Sequence, residues 1–290
     1  MRTIILCCCF LFSPFGQFVF AQHRISVTDD LTRDVTLAQP AKRIVSLAPS
    51  ITETLFAIDA GSQVIGVTDY CNYPVQAKSK RCVGGVINPN IETIVSLKPD
   101  LIVLSMEGNV RDDFNKLKSL GVPVFVTNPR DLKGIYRSID QLGVLTGKGA
   151  KAMQLIRSLH VRADFVAKQA AAGQGSSVLV FVSLQPIMVV GKNTFLAELI
   201  TLAGGANTAV KASSTYPTYS REAVLKDNPD VLIFMSDVLT NPSDLVAHYP
   251  EWSTLKAFQT NRIFSVDPDI VSRPGPRAVD GLEALYTLIH

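Results

Sequence analysis

The stretch from Glu92 to Leu104 (ETIVSLKPDLIVL) returns in the same grammar from Glu222 to Phe234 (EAVLKDNPDVLIF). Each copy is a glutamate, six residues, Pro-Asp and a four-residue apolar run, and the copies begin 130 residues apart (222 − 92). Between them, Thr146 to Ala172 reads as one long helix. Met153, Ile156, Leu159, Ala163, Val166 and Ala170 recur at three- and four-residue steps and form one apolar stripe. Lys151, Arg157, Arg162, Asp164 and Lys168 occupy the other face, and Gly173 with Gly175 closes the far end. A repeat of this length on either side of a helix predicts two similar lobes joined by one helical strut.

The rest of the chain fits that plan. Arg43 to Leu47 is a buried strand, and Ser50 to Glu53 has capping-box spacing for a helix that stops at Gly61. Strands follow at Val64 to Val67, Leu101 to Leu104 and Val122 to Thr127, with Asn90 capping a short helix that carries Glu92 in its first turn. The second lobe has strands at Val178 to Leu184, Val231 to Phe234 and Arg262 to Val266, with a short extension from Met188 to Val190. Asn193 and Ser220 cap its helices, Asp267 to Pro276 is a Pro-rich loop, and Ala278 to Ile289 is the closing helix. Strands alternating with short helices imply parallel βαβ units. The predicted fold is α/β: two parallel-sheet lobes, over 22–130 and 175–290, bridged by a helical linker over 131–174, with a ligand cleft between them.

Residues 1–21 form a separate unit. Arg2 gives a short basic start, Ile4 to Phe12 is apolar, and Val19-Phe20-Ala21 places small residues where a signal peptidase accepts them. Pro14, Gly16 and Gln17 interrupt a run already short for a membrane span, which favours a cleaved signal peptide over an anchor. Cys7, Cys8 and Cys9 lie outside a lipoprotein cleavage context. The expected location is the periplasm, and Cys71 and Cys82 are the thiols left in the mature chain. Two cysteines with ten residues between them in an exported protein predict one local disulfide.

Composition narrows the function. With 47% hydrophobic and 18% charged residues among 290, the chain has the balance of a globular protein. A net charge of +3 with scattered Lys and Arg argues against nucleic acid as a partner. Gly147-Lys148-Gly149 lacks the preceding glycine and following Ser or Thr of a phosphate loop. His23, His160, His248 and His290 are far apart in sequence, so neither a metal site nor a catalytic histidine is predicted. No nucleophile elbow or zinc-protease motif is present, and binding rather than catalysis is expected.

Ligands of parallel sheets sit outside the carboxyl ends of the strands. Here those ends are Ala48-Pro49-Ser50, Asp69-Tyr70, Gly84 to Ile87, Gln185-Pro186, Tyr216 to Tyr219 and Asp269 to Arg273. These loops hold Tyr70, Tyr73, Tyr216 and Tyr219, four of the seven tyrosines. A loop tyrosine often only caps a core, but four together suit a large, flat, partly apolar ligand.

RIVSLAPSITETLFAI, IGVTDYCNYP, the VGG before INPNIETIVSLKPDLIV, TYSREAVLKDNPDVLIF and SRPGPRAVDGLEAL together resemble the cobalamin-binding periplasmic proteins. These belong to a wider group of helical-backbone receptors for cobalamin, haem, iron-siderophores and metals. The TDYCNYP loop carries the likeness to the cobalamin-binding members. The resemblance implies a monomer that takes cobalamin as transported ligand, with no cofactor, and delivers it to the permease subunits of an ABC importer. It implies that Pro49, Ser50, Tyr70 and Val86 line the cleft from the first lobe, Tyr70 packing on the corrin. By the same resemblance Tyr216 would stand where the second lobe often offers a tryptophan, and Asp269 and Arg273 would supply polar contacts to the corrin amides. The resemblance also implies that Glu92 and Glu222 match glutamates that meet arginines of the permease, the plain alternative being first-turn carboxylates that complement the helix dipole. Val86 replaces an aromatic of some members, and the only tryptophan, Trp252, lies outside the cleft loops. The alternative is a haem or ferric-siderophore receptor of the same fold, with Tyr70 or Tyr73 as an axial ligand to haem.

Overall fold

The computed structural model describes residues 24–106, 111–212, 214–239, 241 and 243–290. The predicted signal peptide therefore lies outside the described residues. A small antiparallel hairpin, β1 (Ile25–Thr28) and β2 (Asp34–Leu37), opens the described chain. The first lobe is a parallel sheet of β3 (Ile44–Ser46), β4 (Val64–Val67), β5 (Arg81–Cys82), β6 (Leu101–Ser105) and β7 (Val124–Thr127), in the order β5-β4-β3-β6-β7. Its helices are α1 (Pro49–Ala57), α2 (Ile91–Ser96) and α3 (Arg111–Ser119). Two helices follow, α4 (Leu132–Thr146) and α5 (Gly149–Ala171).

The second lobe contains β8 (Ser176–Leu184), β9 (Ile187–Val189), β10 (Gly205–Asn207), β11 (Val231–Met235) and β12 (Ile263–Val266), with β9 antiparallel to β8 and the others in the parallel order β10-β8-β11-β12. Its helices are α6 (Phe195–Leu202), α7 (Arg221–Asp227), α8 (Ser243–His248), α9 (Lys256–Gln259), α10 (Pro268–Val271) and α11 (Ala278–Ile289).

The repeated motif occupies the same place in both sheets. β6 lies between β3 and β7, and β11 between β8 and β12. The Pro-Asp pair has a structural task common to both. The Asp100 carboxylate accepts the backbone N–H groups of Lys42 and Arg43, each at 2.9 Å, at the start of β3. The Asp230 carboxylate accepts Ser177 N–H at 2.9 Å and its hydroxyl at 2.6 Å, at the start of β8. Each aspartate thus fixes the register of the neighbouring strand.

Both faces of each sheet are covered, as parallel sheets require. Along β11, Val231, Ile233 and Met235 enter one core while Leu232 and Phe234 enter another. β6 alternates likewise, Leu101 and Val103 to one side and Ile102 and Leu104 to the other. The first of these cores is continuous from one lobe through α4 and α5 to the other lobe. Behind the second sheet, Phe181 stacks on Phe234 at 4.4 Å and tilts against Trp252 at 5.7 Å. Fully burying one such ring contributes about 1.5–3 kcal/mol.

Several local expectations are corrected. The strut is shorter than predicted because α4 closes at Gly147, whose φ of 71° is left-handed, so the chain turns before α5 begins. On α5, Ala152 is buried and Met153 exposed, because α4 and α5 cross at Gly143, where a Cβ would stand 2.5 Å from that of Ala152. Ser50 and Glu53 form no capping box: Pro49 sits in the first turn of α1, and Glu53 turns to partners in the other lobe. Thr194, not Asn193, caps α6, accepting Ala197 N–H at 3.0 Å. The Pro-rich loop contains α10. The expected Cys71–Cys82 disulfide is not formed. Cys71 is buried in the core and Cys82 is exposed on edge strand β5, and both are free thiols.

Candidate functional site

The two sheets direct their carboxyl ends toward a common region, and the loops there touch across the lobe boundary. Glu53, in α1, is the centre of that contact. Its side chain is 2% exposed and pairs with Arg273 at 3.0 Å and Arg277 at 2.7 Å. Arg277 Nε also donates to Glu53 Oε2 at 2.9 Å. These hydrogen bonds hold the Arg277 guanidinium above its ordinary pKa against the opposing effect of burial. Gly275, between the arginines, allows the approach: a Cβ there would stand 3.2–3.3 Å from Ser50. Ser50 is consequently buried, while Pro49 beside it is half-buried.

The loop holding Tyr70 is gripped from two sides. On the inner side Thr52 and Thr68 place their hydroxyls 3.1 and 3.2 Å from the Cys71 sulfur, and Ser46 meets Thr52 at 2.7 Å. Burial pushes the Cys71 thiol pKa up. On the outer side Asn72 donates to Asp269 at 2.9 Å and accepts from Arg273 at 2.7 Å. Arg277 lies over the Tyr73 ring at 4.3 Å. Tyr70 itself projects from this held loop and is 63% exposed.

On the second lobe a cavity of about 440 Å³ opens at the carboxyl ends of β8 and β11. Its wall includes Ser183, Met188, Leu196, Tyr216, Met235 and Asp237. A neighbouring hollow of about 500 Å³ shares Ser183 and runs toward His248 and Tyr249. Tyr216 is 44% exposed at this wall.

The predicted site residues therefore divide. Tyr70 and Tyr216 present exposed rings, and Val86 is half-buried in the loop after β5. Ser50, Asp269 and Arg273 are drawn into the lobe-to-lobe contact. Tyr219 turns inward: its hydroxyl donates to Asp227 at 3.0 Å, and burial first, then Asp227, raises its pKa to about 12. Sequence reasoning missed Glu53, Asn72, Arg277 and Asp237. The available signal for Asp237 was its place just beyond the apolar run of a parallel strand, where ligand-facing residues belong. Among the described residues no group of three or more His, Cys, Asp or Glu could hold a metal ion.

Glu92 and Glu222 are both exposed in first turns, on α2 and α7. Asn90 accepts Thr93 N–H at 2.8 Å and Ser220 accepts Ala223 N–H at 3.1 Å. Each helix runs directly into its repeated strand, so both N-termini lie on the carboxyl side of the sheets. A hydrogen bond from Ser220 holds the Glu222 carboxyl below its ordinary pKa.

Two α/β lobes on a helical strut, with loops meeting at the carboxyl ends, define a substrate-binding protein. Residues 44–270 match the family described as periplasmic binding protein, and the chain belongs to that family. Its members are substrate-binding components of transport rather than enzymes. The ABC transporter substrate-binding lipoprotein YvrC of Bacillus subtilis, itself described as uncharacterized, is 33% identical over 274 residues, spanning 92% of this chain and 85% of its own. The vitamin B12-binding protein BtuF of Vibrio cholerae superposes with a TM-score of 0.78 at 29% identity, covering 86% of this chain and 97% of its own. The periplasmic haem-binding protein RhuT of Roseiflexus sp. RS-1 superposes with a TM-score of 0.78 at 26% identity, over 86% and 98%.

Proposed function

We propose that this chain is exported to the periplasm, captures cobalamin or a related corrinoid between its lobes, and delivers it to the permease subunits of an ABC importer. The observation that carries the ligand is a pair of exposed tyrosines, Tyr70 and Tyr216, one in a carboxyl-end loop of each lobe, beside a wall built from Met188, Leu196 and Met235. Such a cleft suits a broad ring with an apolar face and a rim of neutral amides. Vitamin B12-binding relatives of 28–30% identity support the same ligand. The lobe limits that accompany this reading are 22–130 and 175–290, with 131–174 as the linker.

A second reading, haem, draws on the exposed Tyr70 phenol as an axial ligand and on the likeness to RhuT. It is the weaker one, because Arg273 and Arg277 are already neutralised by Glu53 and Asp269 and are not free to meet propionates. Calorimetry of the mature chain with cyanocobalamin, haemin and a ferric siderophore tests the assignment. One-to-one binding of cyanocobalamin is expected. A haemin Soret band with no cyanocobalamin signal would transfer the assignment to haem.

A further inference from the structure

Asp237 stands at the carboxyl end of β11, two residues past Met235, and lines the second-lobe wall with Met188, Leu196 and Tyr216. It is exposed, and among the described residues no side chain donates to its carboxylate or pairs with it. The other charges near the lobe boundary cancel or lean the same way. Arg273 and Arg277 share Glu53, Arg273 also meets Asp269, and Asp267 adds a further negative charge felt by Arg277. The remaining polar groups on the wall, Ser183 and Ser272, are neutral. The wall thus offers one uncompensated carboxylate in an otherwise apolar and uncharged surface.

A carboxylate in that setting is an acceptor only. It gains from an N–H donor at the edge of a bound molecule and is opposed by any carboxylate brought against it, without a nearby cation to relieve the contact. We infer that Asp237 is a specificity-determining residue of the cleft, accepting a hydrogen bond from an amide N–H on the rim of a neutral or cationic ring and rejecting ligands whose rim carries carboxylates. The inference rests on the corrinoid reading and adds to it the group that separates a corrin, rimmed by carboxamides, from a porphyrin that carries propionates.

The test is a pair of titrations, with cyanocobalamin and with haemin, on the mature wild-type chain and on Asp237→Asn and Asp237→Lys, at low and high salt. Thermal melts check that the variants fold. Asp237→Lys should weaken cyanocobalamin and strengthen haemin binding, changing the ratio of their Kd values at least tenfold, with Asp237→Asn between it and wild type. Added salt should strengthen haemin binding to wild type and weaken it to Asp237→Lys, a reversal that a purely structural role would not produce. If wild type binds cyanocobalamin and both variants keep its ratio, this inference falls and the corrinoid reading stands. If wild type binds haemin in preference, or neither molecule, both fall together.

Discussion

Glu53 of the first lobe and Arg277 of the second meet through two hydrogen bonds, Nε to Oε2 at 2.9 Å and Nη2 to Oε1 at 2.7 Å. The side chains are 2% and 15% exposed, so the pair is closed to most solvent, and Arg273 completes it from the same loop. Removing one partner of a buried ion pair leaves the other desolvated without compensation. Glu53→Gln should therefore lower unfolding stability by roughly 3 kcal/mol, measured by urea denaturation. A loss below about 1 kcal/mol would mean that water solvates the arginines as well as Glu53 does.

Tyr70 and Tyr216 present exposed rings, one on each lobe. Tyr70→Ala and Tyr216→Ala should each weaken cobalamin binding by roughly 1–3 kcal/mol by calorimetry, the range for losing an anchoring aromatic. Wild-type affinity in both variants would place the ligand elsewhere.

The two thiols should react very differently. Cys82 is exposed, whereas Cys71 is buried between Thr52 and Thr68 with its pKa raised by burial. Alkylation of the native protein at neutral pH should label Cys82 quickly and Cys71 only after unfolding. Equal labelling rates would contradict the buried position of Cys71.

Arg162 in α5 is bonded to Glu283 at 2.6 and 2.8 Å and to Asp280 at 2.6 Å, and this holds the Glu283 carboxyl below its ordinary value of 4.5. A lowered native pKa gives a stability contribution that is complete above the unfolded pKa and disappears as pH falls through the native one. Melting temperatures of wild type and Glu283→Gln should differ at pH 7 and converge as acid protonates Glu283. A difference that persists unchanged into strong acid would exclude the ion pair as its source.

Glu92→Gln and Glu222→Gln should leave ligand affinity intact and impair uptake by cells, with the double variant affected most. Exposed charges of this kind govern encounter and orientation, so the defect should shrink at high salt in a reconstituted docking assay. Normal uptake by the double variant would leave both residues as helix-terminus charges alone.

What the sequence made legible was what depends on near neighbours. The apolar runs at Leu101 and Val231 predicted strands, and the fold buries side chains on both sheet faces there. Asn90 and Ser220 announced their helices because a cap needs only three residues of chain. The failures involve distant partners. Nothing beside Glu53 shows that its arginines arrive more than two hundred residues later, so capping-box spacing offered a local explanation that was wrong. Cys71 and Cys82 were near enough in sequence to suggest a bond, but one faces the core and the other solvent. The sequence placed Arg273 in a carboxyl-end loop, whereas its occupation by Glu53, Asn72 and Asp269 required the fold.

The strut sets a gauge. Helix α5 has 23 residues, so it spans about 34 Å, and ion pairs tie it to both lobes, Lys151 to Asp59 on one side and Arg162 to Glu283 on the other. Were Glu92 and Glu222 to dock a permease as proposed, a bar of fixed length would keep their separation nearly the same whether the cleft is full or empty. A membrane partner reading that footprint alone would dock both forms alike. Telling cargo from vacancy then falls to the loops at the mouth, where the Tyr70 segment and the Arg273 segment already touch.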